Sequence, residues 1–296
     1  MAPGTDTGDA RVVSGKAGIG LLARAALPSL PLVGRLPGVR KSGAPFGGLT
    51  VTRPTVAIDR AHADAYATVC GFPVKDEVPL PYPHMLAFPL HMAILTDPAF
   101  PAPAIGTVHL ENSITRHRAI TVGESLDVTT TVGPAAPHPK GTIFELVTTA
   151  HAGAELVWES TSTYLRRGKG DDSAPWGLQL PEVDPGGTAW RLPADLGRTY
   201  AAVSGDYNPI HLYPLTAKAL GFDRQIAHGM WTLARCVAAL ENRLPAAVRV
   251  DVAFRKPVFL PSTVAFGSRE LDDGYAFTLT KQGTDTVHLV GRATTL

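Results

Sequence analysis

A carboxylate and an imidazole lie close together in one short segment of the chain. The segment runs Asp206-Tyr-Asn208-Pro209-Ile-His211. Because Pro209 fixes its own φ and pushes Asn208 out of helical geometry, we expect the chain to bend here. The bend lets the side chains of Asp206 and His211 converge on one point. A carboxylate and an imidazole that hold one water suit reversible hydration, since one takes a proton from water while the other manages the proton at the α-carbon.

A second segment, Ile226-Ala-His228-Gly229-Met230, lies at the start of a predicted apolar helix. The first N–H groups of a helix have no partner inside the helix, and the helix dipole makes this end positive. Because glycine has no Cβ, a substrate carbonyl can approach the backbone of Gly229 closely. The Gly229 N–H is therefore a candidate donor to an oxygen that gains negative charge during the reaction.

Each of these features also has a simpler interpretation. An Asp-x-Asn-Pro sequence is commonly an Asx-turn, and Gly229 can be a packing glycine. A single histidine is more often a structural or surface residue than a catalyst. The individual residues leave both interpretations open.

Two stretches of the chain are similar to each other, which indicates an internal repeat. Tyr66–Phe72 is similar to Tyr200–Asp206, and the apolar–polar alternation of Leu110–Val122 recurs in Val248–Leu260. The matches occur in the same order in both halves. We therefore predict a duplicated unit of roughly 115–120 residues.

Each predicted unit has one apolar helix followed by several strands. The helices are predicted at Leu86–Leu95 and Ala227–Leu240. Strands are predicted where apolar and polar residues alternate. In the first unit they are Val108–Ile114, Ser125–Val132, Thr142–Ala150 and Glu155–Tyr164, with counterparts in the second unit from Val248 onwards. A helix followed by antiparallel strands is an α+β pattern, and a sheet wrapped around one central helix is the hotdog fold.

The repeat divides the chain into four parts. We predict an N-terminal arm at residues 1–48, a first unit at 49–167, a linker at 168–184 and a second unit at 185–296. The linker is polar and rich in Gly and Asp, which is typical of a loop.

Composition and short motifs restrict the possible partners. Hydrophobic residues make up 45% of the 296 residues, and the formal net charge is +1 without a basic block, so we expect no nucleic acid. No apolar stretch is long enough to span a membrane. Phosphate-loop motifs and metal-ligand spacings are absent from the sequence, so we expect neither a bound cofactor nor a metal. Two cysteines outside any CxxC pattern favour a cytoplasmic location.

The two functional segments resemble the signature of the MaoC-like dehydratases, also called (R)-specific enoyl-CoA hydratases. The matching stretches, Ser204–His211 and Ile226–Met230, are intact here. The resemblance implies a double-hotdog fold. It also implies a hydro-lyase that reversibly hydrates trans-2-enoyl thioesters to (3R)-3-hydroxyacyl thioesters in fatty acid metabolism.

The same resemblance assigns roles to single residues. It implies Asp206 and His211 as the catalytic pair, Gly229 as the oxyanion donor and Asn208 as a brace for the loop. From the same two motifs we expect Ser204 and His228 to contact the substrate.

The first unit lacks this pair in the repeat alignment. Phe72 stands opposite Asp206, and Glu77 stands opposite His211. Because these two residues cannot reproduce a carboxylate–imidazole pair, we predict that the first unit is catalytically silent and instead holds the acyl chain.

Weaker similarity relates the first unit to the leading half of the actinobacterial (3R)-hydroxyacyl-thioester dehydratases, through Tyr82–His91 and Leu156–Glu159. Space freed by the missing catalytic loop suits a long acyl chain. Four apolar residues of the first helix are expected to line this tunnel, although they are equally well explained as helix core. They are Phe88, Leu90, Met92 and Ile94.

Basic residues offer a site for the carrier of the acyl group. Arg255 and Lys256 fall opposite His117 and Arg118 in the repeat, with Arg116 beside them. They can attract the phosphates of coenzyme A or the acidic surface of an acyl carrier protein. Ordinary solvated strand positions are the simpler interpretation.

Two further functions remain open from the sequence. A hotdog thioesterase also uses a carboxylate and a helix N-terminus, but it does not require the Asp-x-Asn-Pro-x-His loop. A non-catalytic acyl-thioester-binding subunit would not need the intact pair of Asp206 and His211. The chain is expected to be a monomer of two hotdog units or a homodimer.

Overall fold

The computed structural model describes residues 11–13, 48–102 and 106–296. Most of the predicted N-terminal arm lies outside these residues. Within it, strand β1, Arg11–Val12, pairs in parallel with Val51 and Thr52 of the first unit.

The first unit contains two helices and six strands in its described residues. After β2 at Thr50–Ala57 come helix α1 at Arg60–Cys70 and helix α2 at Pro83–Leu95. The later strands are β3 at Thr107–Arg116, β4 at Ser125–Val132, β5 at Ala136–His138, β6 at Gly141–Ala152 and β7 at Glu155–Arg167. The predicted strands are therefore confirmed, with ends that differ by a few residues.

The second unit repeats this order with an additional short helix. It begins with β8 at Thr188–Leu192 and helix α3 at Leu196–Ser204. A 3-10 turn at Pro209–His211 and helix α4 at Pro214–Ala219 precede the central helix α5 at Gly229–Leu240. The last strands are β9 at Val248–Phe254, β10 at Ser262–Leu271, β11 at Gly274–Lys281 and β12 at Val287–Thr295.

One continuous sheet joins the two units. Its order among the described strands is β1-β2-β4-β6-β7-β3-β9-β12-β11-β10-β8, with β5 on the side of β6. The units meet where β3 pairs antiparallel with β9, from Glu111 opposite Ala253 to Arg116 opposite Val248. The chain thus has the predicted α+β, double-hotdog architecture.

The central helices form the core that the sheet encloses. Every residue of α2 is buried, as expected for a helix that is apolar on all sides. Helix α2 begins at Pro83, earlier than the predicted Leu86, because proline suits the first turn of a helix. Helix α5 packs beside α1, and the indole N–H of Trp231 donates to the carbonyl oxygen of Val69 at 2.9 Å.

The two units differ most in the loop before the central helix. Residues 71–82 connect α1 to α2, whereas residues 205–228 connect α3 to α5, a segment twice as long. The 3-10 turn and α4 therefore have no equivalent in the first unit. Phe72 follows the left-handed cap Gly71 as Asp206 follows Gly205, so these two residues are equivalent, with a buried phenyl ring in place of the carboxylate. Glu77 is exposed in a loop without the 3-10 turn that holds His211, so that alignment has no structural counterpart.

The predicted linker crosses the outer surface of the sheet. It is anchored to the first unit where Asp171 N–H donates to the carbonyl of His138 at 3.2 Å. It reaches the second unit where Val183 N–H donates to Thr278 Oγ1 at 2.8 Å. None of the helices described is both long enough and apolar enough to cross a membrane.

Candidate active site

Asp206 begins the long loop of the second unit. Helix α3 ends at Gly205, whose φ of 74° lies in the left-handed region that glycine tolerates. The Asp206 Oδ1 atom then accepts a hydrogen bond from Asn208 N–H at 3.1 Å. The expected Asx-turn is therefore present, and it occupies one carboxylate oxygen while leaving Oδ2 for other contacts.

His211 is held at the end of the 3-10 turn. Asn208 caps this turn, since its Oδ1 accepts from Ile210 N–H at 3.4 Å and Pro209 occupies the first position. His211 Nδ1 lies 2.8 Å from the carbonyl oxygen of Ile226. Because a carbonyl only accepts, Nδ1 carries the proton, which leaves Nε2 as the acceptor.

Close packing of helix α3 sets the position of the His211 backbone. Gly197 of this helix touches the main-chain carbonyl of His211, and a Cβ at position 197 would overlap that oxygen. Arg198 also donates to the carbonyl of Leu212 at 2.9 Å. The loop therefore rests directly on α3.

The imidazole ring of His228 packs against that of His211. The two imidazole rings stack with centroids 3.7 Å apart and an interplanar angle of 27°. His228 Nε2 donates to the carbonyl oxygen of Asp206 at 2.9 Å and lies 3.8 Å from Asp206 Oδ2. His228 thus links the start of α5 to both members of the pair.

Burial controls the protonation of these groups. Desolvation raises the pKa of Asp206, with the nearby His211 opposing the change. Desolvation, aided by His228, lowers the pKa of His211 to about 3, and desolvation lowers the pKa of His228 to about 4. At neutral pH both imidazoles are therefore uncharged, beside an ionised carboxylate.

Asp206, His211 and His228 also bring possible metal ligands together, which their sequence spacing did not indicate. One oxygen or nitrogen atom from each lies within 4.8 Å of the others. However, His211 Nδ1 and His228 Nε2 are already bonded to main-chain carbonyls. Each ring therefore keeps only one free nitrogen, and a water can donate to such a nitrogen and to Asp206 Oδ2. This geometry suits a water better than a metal.

Gly229 is the first residue of α5, so its N–H has no helical acceptor. A Cβ at this position would lie 3.2 Å from the ring of Phe254, which shows how closely the aromatic ring covers the helix start. The N–H lies in the same cavity wall as the catalytic pair. It is placed to donate to a substrate oxygen.

One cavity of about 640 Å³ is lined by ten of the residues expected from the sequence to act in catalysis or binding. They are Ser204, Asp206, Asn208, His211, His228, Gly229, Arg255, Lys256, Phe88 and Met92. Two of the four residues proposed for the acyl tunnel, Leu90 and Ile94, are instead fully buried in the core. Residues four apart share a helix face, whereas the prediction used a spacing of two, which is that of a strand.

The basic residues separate into two groups. Arg255 and Lys256 are exposed and line the cavity. Arg116 is buried and donates to the carbonyls of Ala246 and Pro245 at 2.8 and 3.0 Å. Arg118 forms ion pairs with Glu124 and Glu155, and His117 Nε2 lies 3.1 Å from a carboxylate oxygen of Glu159. Of these basic residues, we therefore expect only Arg255 and Lys256 to attract the carrier of the acyl group.

Comparisons with known proteins identify the family of the chain. A family model described as a MaoC like domain matches residues 188–290. The 3-hydroxyacyl-thioester dehydratase X of Mycobacterium tuberculosis is 37% identical over 270 residues, covering 90% of this chain and 93% of that protein. The chain belongs to the MaoC-like dehydratase family.

Other relatives of this MaoC-like chain are more distant or match in structure. The crystal structure of HtdX from M. tuberculosis has a TM-score of 0.75 at 37% identity, over 83% of this chain and 100% of that chain. An (R)-specific enoyl-CoA hydratase of Aeromonas caviae is 35% identical over 69 residues, which are 22% of this chain and 52% of that protein. A double-hotdog protein of M. tuberculosis shares the fold, with a TM-score of 0.56 at 14% identity over 84% of this chain and 96% of that chain.

The sequence did not identify three polar residues of the first unit that line the same cavity of this MaoC-like chain. They are His84, His109 and Tyr164. The sequence does contain a pattern that indicates His84. This residue and His91 lie seven residues apart in an otherwise apolar helix, so they share one face of it. His109 and Tyr164 are strand residues with no such spacing.

Replacing Gly197 tests whether α3 positions the catalytic pair. Gly197→Ala should reduce the kcat for hydration of an enoyl-CoA by roughly tenfold or more, because the new Cβ displaces the His211 backbone. Stability should fall by about 1–3 kcal/mol, as for overpacking. Ala202→Ser, at an exposed position of the same helix, is the control and should change neither quantity. Wild-type kcat in Gly197→Ala would contradict the positioning role.

The raised pKa of Asp206 predicts the acid side of the pH profile. The ionised carboxylate is the active form, so activity should be lost as pH falls through its pKa. Because that pKa is raised, the loss should occur above the ordinary value of 3.8. His211, with its pKa of about 3, should remain neutral over this range. The measurement is kcat/KM for an enoyl-CoA against pH; full activity down to about pH 4 would refute the assignment.

Proposed function

We propose that this chain reversibly hydrates trans-2-enoyl thioesters to (3R)-3-hydroxyacyl thioesters, as a hydro-lyase of fatty acid metabolism. The observation that supports this most is that Asp206 and His211 line one cavity together with Gly229, whose N–H begins α5. Membership of the MaoC-like dehydratase family supports the same reaction.

In this proposal the pair acts on a single water. His211 Nε2 and Asp206 Oδ2 both accept hydrogen bonds from the water and orient it towards C3 of the substrate. As the water oxygen bonds to C3, the pair takes one proton and the electrons of the double bond move into the thioester, giving an enolate. The pair then returns a proton to C2, so that it ends as it began. One pair on one side of the substrate gives syn addition.

Three features of the site favour this reaction. Burial lowers the pKa of His211 to about 3 and raises that of Asp206 above 3.8, so the carboxylate is the stronger base of the two. The hydrogen bond from Nδ1 to Ile226 keeps Nε2 directed into the cavity. Gly229 N–H stabilises the enolate oxygen, with no reorganisation of solvent at the moment of reaction.

The remaining walls suit the two ends of an acyl thioester. Phe88 and Met92 of α2 offer an apolar surface for the acyl chain, in the space that the short loop 71–82 leaves open. Arg255 and Lys256 provide positive charge for coenzyme A phosphates or an acidic carrier protein. In this arrangement the first unit binds the chain and is catalytically silent, while the second unit reacts.

Three properties stay predictions from the sequence. They are a cytoplasmic location, the absence of a bound cofactor, and an assembly that is either a monomer of two hotdog units or a homodimer. The shared sheet between β3 and β9 is compatible with the monomer, because it already joins two hotdog units within one chain.

A coupled assay tests the reaction against its alternatives. Enoyl absorbance and free thiol should be followed together with an enoyl-CoA substrate. Loss of the enoyl signal without thiol release is the expected result. Release of thiol would indicate a thioesterase, and no change in either signal would indicate a binding subunit.

Substitution of the pair tests its role. Asp206→Asn and His211→Gln should each lower kcat by roughly a hundredfold or more, because each removes one acid–base group while keeping a side chain of similar size. The controls are Asp195→Asn, a nearby exposed carboxylate, and His117→Gln, which lies off the cavity. Turnover close to wild type in Asp206→Asn or His211→Gln would exclude that residue from the chemistry.

The acyl site can be tested by chain length. Met92→Trp should lower kcat/KM for a long enoyl-CoA by roughly tenfold relative to crotonyl-CoA, because the larger side chain fills the cavity beside α2. Val74→Trp, at a position that is 56% exposed, is the matched control. A wild-type protein that loses activity sharply beyond the shortest chains would refute the long acyl site.

A further inference from the structure

The first unit contributes a polar surface to the acyl end of the cavity. His84 of α2, His109 of β3 and Tyr164 of β7 all line it, next to Phe88 and Met92. We call these three residues the polar wall. An ordinary alkyl chain forms no hydrogen bonds with polar side chains, so the presence of these three residues needs an explanation.

His84 has an unsatisfied ring nitrogen. The side chain is only 3% exposed, and its Nδ1 has no hydrogen-bond partner among the described residues. Leaving a buried polar atom without a partner costs about 1–3 kcal/mol. His84 lies one helical turn before Phe88, so it faces the cavity beside an apolar surface. A ligand that supplies a hydrogen bond there would remove this cost.

A strand irregularity accompanies His109. The register of β3 against β7 shifts between His109 and Glu111, which leaves Leu110 without a paired residue. Such bulges change the direction of a side chain and often occur beside functional sites. The ring of His109 stacks on that of Tyr164 with centroids 4.6 Å apart, and it lies 6.3 Å from the ring of His84.

Tyr164 is held in place from behind. His91 Nδ1 lies 3.3 Å from the Tyr164 hydroxyl, and His91 Nε2 lies 3.0 Å from Thr148 Oγ1. Thr148 is in turn 2.9 Å from Thr130 Oγ1. This buried chain of hydrogen bonds fixes the phenol at the cavity surface, and proximity to Asp206 contributes to the raised pKa of Tyr164.

The polar wall carries no charge at neutral pH. Desolvation lowers the pKa of His84 to about 4 and that of His109 to about 3, and it raises that of Tyr164. Neutral imidazoles and a phenol suit a neutral oxygen and give no counter-ion to a carboxylate. The ring of His109 lies 5.2 Å from that of Phe254, next to Arg255, whereas His84 lies one turn before Phe88, so the wall extends from the junction of β3 and β9 to the apolar surface of α2.

We propose that the polar wall is a second binding subsite, which selects acyl chains bearing a neutral hydroxyl or keto oxygen beyond the reacting carbons. The subsite rests on the proposed hydration of enoyl thioesters. His84 Nδ1 and the Tyr164 hydroxyl form the hydrogen bonds to this oxygen, and Phe88 and Met92 contact the carbons on either side. The apolar residues alone would select for chain length, whereas the subsite adds chemical selectivity.

A matched substrate series tests the subsite. It contains unsubstituted trans-2-octenoyl-CoA and derivatives with one hydroxyl or one keto group on successive carbons beyond C4. For the wild-type protein, kcat/KM for at least one oxygenated chain should exceed that of the unsubstituted chain by about tenfold, the effect of one well-placed hydrogen bond. The hydroxyl and keto series distinguish whether the wall accepts or donates the bond.

Three variants test whether the polar wall is responsible for the preference for oxygenated chains. His84→Leu should reduce the ratio between the oxygenated and unsubstituted chains to about one, because kcat/KM falls more for the oxygenated chain than for the unsubstituted one. His84→Asn should retain the preference, because its amide can replace Nδ1. Tyr164→Phe keeps the ring and removes only the hydroxyl, so it should weaken the ratio even if a change at His84 disturbs folding.

Two results would overturn the subsite. One is a wild-type ratio near one at every oxygen position. The other is an equal loss on all chains in His84→Leu with an unchanged melting temperature, which would place the wall at the common thioester part of the substrate. Failure of the proposed function is distinct, since the wild-type protein would then hydrate none of the chains, oxygenated or not.

Discussion

The hydrogen bond between His211 Nδ1 and the carbonyl of Ile226 is the interaction on which the site depends. It determines the tautomer, and it fixes the catalytic turn to the segment that leads into α5. That segment is itself anchored, because Ile226 N–H donates to Ile210 at 3.1 Å and Ala227 N–H donates to Val258 at 2.8 Å. A backbone that pairs on both sides cannot shift without breaking several bonds, so the imidazole and the helix start keep their relative position.

The different lengths of the loops before the two central helices explain why two similar units contribute different residues to the cavity. The segment 205–228 folds over the start of α5 and brings Asp206, His211 and His228 there, whereas the shorter 71–82 leaves the corresponding face of α2 uncovered. The cavity extends over this uncovered face. In the proposed reaction, the same loop length that removes chemistry from one unit provides the room in which the other unit's substrate lies.

Local sequence was enough to predict the pair, the glycine at the helix start and most strands, because each has a short-range signal. Asn208-Pro209 specifies a bend, and alternation specifies strands such as Ser125–Val132, whose bounds were predicted as observed. The alignment of Phe72 with Asp206 holds, because both follow a left-handed glycine cap, whereas that of Glu77 with His211 is wrong, since repeat matching assumes loops of equal length. The polar wall was missed because His109 and Tyr164 meet only through pairing of β3 with β7, and sequence spacing contains no record of that contact.

The hydrogen bonding of buried polar atoms supports separate roles for the two sets of polar residues in the cavity, which are the catalytic loop and the polar wall. Asp206 Oδ1, His211 Nδ1 and His228 Nε2 each have a partner within the loop, whereas His228 Nδ1 has none among the described residues. His84 likewise keeps an unpaired Nδ1, but this nitrogen belongs to a residue one turn from the apolar side chain of Phe88 and away from the catalytic loop. An unpaired nitrogen of this kind weakens the free protein, and apolar residues of similar size would avoid the cost. Its retention is most simply explained by a hydrogen bond that forms when substrate is present, so recognition and chemistry come from opposite units of one cavity.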